Sequence, residues 1–383
     1  MDSTRRSFCT QAASTLLASR LFGQSPVTGG SSIRPNVAAI DHDRILAAAD
    51  RCLKEALTPI TGLPADRSPG PDHDFFSEPA DQPTGFVAHR DALFALGHIV
   101  PALTAAYVIS KDERYAKQAV PHLQAWFVAP ETAMTPTLEF AQVTTGAKTG
   151  RPEGVIEGLP LVEIAQSIPF LSNSEALAPA AIDTITKWFV SYLDWLNTSR
   201  TAGLARDMHD HNGSSWLLQA SACAKLNLKD DRALTTLRHQ FRTSTIRAQI
   251  SYDGNFVHEL ATPNPYRNSL FNLDLLAGVC ELLSTRFESV WDYELQDGPG
   301  LRNVVARLFP FIGNRGSWPY RADAAYFAQL PLRRPALLFA ARAYNRPEYA
   351  DLWKTLPPDT ATIDLDRTFP IRQPLLWVTR PRP

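Results

Sequence analysis

Two short polar stretches hold the side chains best suited to moving protons. One runs from Asp253 to Asp274 and gathers His258, Glu259, Tyr266, Arg267 and Asn268 in a loop that leads into an apolar helical run over 270–283. The other is His211-Asn212, just ahead of the apolar pattern that starts at Gly213. Imidazole titrates near neutrality, and a phenol exchanges its proton once positive charge lowers its pKa, so His211, His258 and Tyr266 are the acid–base candidates. Asn212 can donate to a developing oxyanion, and Arg267 presents a planar fork matched to a carboxylate. Each residue also has a plainer use. Asn212 suits a helix N-cap, with Asp207 and Asp210 at the positive end of that helix. Tyr266, flanked by proline, suits apolar packing. His258 suits a hydrogen bond to loop backbone, and Glu259 suits bracing its loop by pairing with an arginine.

Further candidates would hold a ligand rather than transform it. Gln142, Arg151, Arg206, Arg247 and Arg267 form the polar set, and Trp216 is an aromatic that either lines a cleft or packs in the core. Arg151 either grips a carboxylate or forms a salt bridge with Glu153 or Glu157. His209 and His211 with Asp207 and Asp210 match no standard metal spacing, so no metal is expected. Phosphate-binding, serine-nucleophile and Cys-His signatures are missing from the sequence, and no cofactor is expected.

These residues need a scaffold that brings distant loops together. Apolar residues at helical spacing predict helices over 41–57, 89–109, 112–127, 159–170, 174–196, 213–226, 230–250, 269–287, 300–312 and 334–344. No run of alternating strands appears. Helix pairs joined by short turns, with longer polar loops on one side, predict an all-α fold, an (α/α) toroid. Many of the 30 prolines sit in the loops, including 59–83 and 130–160, and the tail is expected to pack as a strap.

The chain has 383 residues, 44% of them hydrophobic, with 38 basic and 39 acidic side chains. That balance gives no case for nucleic-acid binding or bulk attraction to a membrane, so a polyanion would need a local basic cleft. Ser3-Thr4-Arg5-Arg6-Ser7-Phe8 followed by a mildly apolar run predicts a twin-arginine export signal and a periplasmic or secreted protein. The expected division is signal and linker over 1–30 and one domain over 31–383. No later run is expected to span a membrane. Cys52, Cys223 and Cys280 are expected as free thiols.

Four segments resemble the alginate lyase family: Asp72-His-Asp-Phe-Phe-Ser-Glu78; Ala125 to Gln142 continuing to Gly150-Arg-Pro-Glu-Gly-Val-Ile156; His211-Asn-Gly-Ser-Ser-Trp-Leu-Leu-Gln219; and the loop from Asp253. The resemblance implies an (α/α) toroid that cleaves a uronate polysaccharide by β-elimination. The family's Asn-His pair falls on His211-Asn212 in reversed order. Its Arg falls on Thr262 and its catalytic Tyr on Asn268. The resemblance therefore implies either a catalytic set rebuilt from His211, Asn212, His258 and Tyr266, or a chain that binds without cutting. A glycoside hydrolase is the other alternative; it would draw two carboxylates from Glu139, Glu153, Asp210 and Glu259.

Overall fold

The computed structural model describes residues 33–82, 84–227, 231–360 and 362–381, so the expected signal over 1–30 lies outside the described residues. The longer helices are α1 (His42–Cys52), α2 (Ala88–Ser110), α3 (Glu113–Phe127), α4 (Pro160–Leu171), α5 (Pro179–Thr198), α6 (His211–Leu226), α7 (Asp231–Gln240), α8 (Pro265–Leu283), α9 (Leu301–Gly313), α10 (Pro335–Tyr344) and α11 (Pro347–Thr355). Their ends follow local chemistry. Pro160, Pro179, Pro265, Pro335 and Pro347 open five of them, where proline's fixed φ fits and its missing N–H costs nothing. Lys111 at φ 62 ends α2, and Asp112 caps α3 by accepting the Arg114 N–H. Among the described residues there are only two isolated β-bridges and no sheet.

Helices α2, α4, α6, α8 and α10 pack side by side, each on the next, and outer helices cover them. The His211 ring meets Phe271 at 5.6 Å, and further along both helices Leu218 lies against Gly278, so α6 and α8 run the same way. Each inner helix returns through an outer partner, giving the all-α toroid that the patterning predicts. The inner helices are apolar nearly all round, because both faces are covered.

The tail closes the seam between α10 and α2. Buried Glu163 of α4 accepts the N–H groups of Arg372 at 2.8 Å and Gln373 at 2.9 Å and the Trp377 indole at 3.1 Å. Buried Asp274 of α8 accepts the Ala336 N–H at 3.1 Å and Arg334 Nη1 at 3.0 Å, fixing the start of α10. The tail is thus a strap, though residues 375–378 are helical.

Several details differ from the sequence reading. Ala88–Ser110 and Pro152–Leu171 are long and apolar enough to cross a membrane by length and composition, against the expectation of none; 67% and 83% of their apolar windows are buried within the fold. The helix expected over 230–250 turns through a π segment at Phe241–Thr245.

Candidate active site

The loops ahead of the inner helices gather at one end of the toroid, because those helices share a direction. Residues 59–87, 128–159, 199–210, 250–264 and 314–334 form this rim. His211 opens α6 there. Its Nδ1–H donates to Glu259 Oε2 at 2.9 Å, and its backbone N–H donates to Glu259 Oε1 at 2.6 Å. Glu259 is fully buried and takes a third hydrogen bond from Asn272 Nδ2 at 3.1 Å. Asn272 also donates to Gln249 Oε1 at 2.9 Å, and Gln249 donates to the Asp210 carbonyl at 2.8 Å. This buried network fixes the imidazole tautomer and leaves Nε2 without a protein hydrogen bond among the described residues. Burial pulls the His211 pKa down, but the Glu259 hydrogen bond and charge, with Asp210, outweigh it and the net shift is upward.

Asn212 is buried beside it. Asp210 caps α6 by accepting the Asn212 N–H at 2.9 Å, and the Asn212 amide donates to both Asp210 oxygens at 3.2 Å. The cap is therefore Asp210, and Asn212 is its second donor. Arg267, in the first turn of α8, is close enough to His211 to act on its charge. Its backbone N–H donates to Asp323 Oδ2 at 2.9 Å, while its Nε is buried without a hydrogen bond. Burial pulls the Arg267 pKa down and Asp323 opposes it; a guanidinium keeps its charge regardless.

On the loop ahead of α4, Arg151 Nη2 donates to Gln142 Oε1 at 2.5 Å, and its Nε is likewise buried and unpaired. Neither Arg151 nor Arg267 forms an ion pair among the described residues, so of the two uses weighed for Arg151 the salt bridge with Glu153 or Glu157 is not seen.

Four expectations need correction. Tyr266 is fully buried; its hydroxyl donates to the Phe311 carbonyl at 3.0 Å, and its ring packs on Trp318 and Phe327. Burial pushes its phenol well above the usual range, so Tyr266 is a packing residue and no acid–base group. Trp216 is also core, its indole donating to the Leu196 carbonyl at 3.1 Å. Arg247 lies on the surface with its guanidinium committed to a bidentate pair with Asp297. Glu259 braces its loop through His211 and Asn272, where an arginine was expected. Arg206 pairs with neighbouring Asp207 at 2.8 Å and sits over the Trp216 ring, so its charge is partly committed. His258 is exposed, with its ring 5.5 Å from that of His209.

The two positions where the resemblance places Arg and Tyr hydrogen-bond to each other: Asn268 Nδ2 donates to Thr262 Oγ1 at 3.0 Å, and Thr262 Oγ1 donates to the Glu259 carbonyl at 2.7 Å. They now tie the Glu259 turn to α8. Of the carboxylates weighed for hydrolysis, Glu139 is engaged by Trp195, Ser199 and Thr201, and Glu259 by its three donors, so neither is free to act as an acid. A 320 Å³ pocket beside α6 is lined by Arg206, His209, Gly213, Ser244 and Gln249 among others. A cavity of 710 Å³ lies at the seam between α2 and the tail, and none of the expected site residues line it. Sequence reasoning missed Asn272, Gln249 and Asp323, whose only local signal is a polar side chain within or beside an apolar run.

The alginate lyase family model matches residues 41–318. A search of curated protein sequences finds no match. Among solved structures, an alginate lyase from Bacteroides ovatus is similar at 22% identity and a TM-score of 0.77, over 90% of this chain and 94% of that one. Alginate lyase A1-III from Sphingomonas species A1 is similar at 16% identity and a TM-score of 0.54, over 88% and 95%. A variant of A1-III complexed with tetrasaccharide gives 14% identity and a TM-score of 0.52, over 80% and 86%.

Proposed function

The chain belongs to the alginate lyase family, and from that premise we propose that it cleaves a uronate-containing polysaccharide by β-elimination. The carrying observation is the His211–Glu259 pair: an imidazole with Nδ1 held by a buried carboxylate, Nε2 open, and an arginine without an ion pair close by. The C5 proton of a uronate is weakly acidic, and its removal sends negative charge onto the C6 carboxylate. In the proposed reaction His211 Nε2 takes that proton. Arg267 neutralises the carboxylate, and Asn212 lies beside His211 to donate as charge develops. His258 protonates O4 as the C4–O4 bond breaks, leaving a C4–C5 double bond. Glu259 stabilises the imidazolium formed on the way. Gln142, Arg151 and Arg206 grip neighbouring uronates.

The substrate is an anionic polymer, with alginate the first to try. The twin-arginine pattern at Ser3–Phe8 supports export to the periplasm or beyond, and retention in the cytoplasm of a strain lacking that pathway would test it. The deciding experiment incubates the protein and His211→Ala with a panel of uronate polymers, following ultraviolet absorbance of unsaturated ends and measuring binding in parallel. Product from the native protein alone is the expected result. Binding without product from the native protein would make it a carbohydrate-binding protein, in keeping with Thr262 and Asn268 at the altered positions.

A further inference from the structure

Beneath the loop that carries Gln142 and Arg151 lies a carboxyl group for which the proposed reaction has no use. Glu157 is 8% exposed. Its Oε2 accepts from Ser77 Oγ at 2.5 Å, while Oε1 is buried with no hydrogen-bond partner. Ser77 Oγ in turn accepts the Gln142 N–H at 2.8 Å, and backbone bonds from Ser77 to Phe140 and from Val143 to Ser77 join the two segments. Gln142 stands at φ 57, a left-handed conformation that a residue with a side chain keeps only where its surroundings impose it. Its side chain lies near Glu157 and receives Arg151. Ser77, Gln142, Glu157 and Arg151 thus form one connected set drawn from two rim loops.

The charged groups around Glu157 are Arg90 and Asp91 from the first turn of α2, with Arg151 one link away through Gln142. Neither arginine pairs with Glu157. Arg90 lies 3.5 Å from Asp91, and its Nε is buried without a hydrogen bond. A buried carboxylate without an ion pair is costly, whereas a buried neutral acid hydrogen-bonded to a hydroxyl costs far less. Burial pushes Glu157 up to about 7, against the pull of Ser77, Arg90 and Gln142.

We propose that Glu157 works as a neutral carboxylic acid, a positioning residue that sets Gln142 and leaves Arg151 uncommitted for the substrate carboxylate. The proposal rests on the lyase reading of the site. Once ionised, Glu157 would draw the linked Gln142 and Arg151 toward itself and weaken substrate capture, without touching proton transfer at His211.

The test follows KM, kcat and calorimetric binding of a saturated oligouronate against pH for the native protein, Glu157→Gln and Glu157→Ala, with infrared difference spectra of each. The native KM should rise about tenfold between about pH 6 and about pH 8. Glu157→Gln, which keeps a neutral group of the same shape, should hold KM low and flat with kcat unchanged. Glu157→Ala should show the raised KM at every pH. A protonated-carboxyl band should be present in the native spectrum below neutrality and missing from Glu157→Gln. The proposal is overturned if Glu157→Gln follows the native KM profile, if no such band is lost, or if oligouronate binding is absent or independent of pH. Failure of the lyase reading looks different: no variant makes unsaturated product, yet binding and the carboxyl band still titrate with Glu157.

Discussion

Among single residues, the chemistry turns on the His211 imidazole, with one nitrogen fixed and one open. Replacing His211 by Ala should lower kcat by about two to four powers of ten and also lower the thermal midpoint, since buried Glu259 loses one of its three donors. Glu259 raises the His211 pKa, so the base becomes active only as pH climbs through that raised value. Glu259→Gln removes the charge, and the acid limb of kcat/KM should move to lower pH with a smaller plateau. A limb that does not move would show that another group titrates. Tyr266→Phe, by contrast, loses one hydrogen bond worth about 1 kcal/mol and should leave kcat within about twofold. Retained stability with lost turnover would return Tyr266 to the mechanism. His211 was legible because a histidine ahead of an apolar helix stands out. Its partner was not: Glu259 lies far along the chain, and sequence offers an acidic side chain every cation as a possible mate.

Among the elements, helix cores were legible and joints were not. Apolar periodicity located the inner helices because buried stripes repeat every turn. It placed the start of α8 too late, since Pro265 and Tyr266 belong to its first turn and read as loop. The same misreading kept Tyr266 among the acid–base candidates. Close approach between elements also leaves little trace beyond a glycine. A Cβ on Gly97 would sit 2.5 Å from the Pro160 side chain, so α2 touches the start of α4 there. Gly97→Ala should push these helices apart at a cost of about 1–3 kcal/mol, read as a lower denaturation midpoint. The Asn268–Thr262 bond is a joint of the same kind. Asn268→Ala should lower stability by about 1 kcal/mol and turnover by less than His211→Ala does.

For the whole molecule, pH should act on stability through its buried acids. Glu157 holds its proton more tightly folded than unfolded, shifting from 4.5 to about 7. The stability it contributes is complete below 4.5 and is lost as pH rises through about 7, a change of about 3 kcal/mol. Asp274, raised from 3.8 to about 6 chiefly by burial, slopes the same way. Midpoints measured across this range should fall with rising pH, and Glu157→Gln should flatten the curve. The overall topology was legible from helix pairing and loop length. Which loop residues would meet was legible only where the four resembling segments marked them, because convergence depends on packing between helices far apart in sequence.

The shared direction of the inner helices has an electrical result. Every peptide unit in α2, α4, α6, α8 and α10 points its N–H toward the same rim, so their dipoles add there instead of cancelling. The end of the toroid that bears His211 carries a positive field written into the backbone, in a chain whose formal net charge is -1. A polyanion would be drawn to it before any side chain makes contact. Replacing Arg151 and Arg267 together by Ala should therefore weaken polymer binding yet leave a residual dependence on salt, since that part of the attraction belongs to the fold itself.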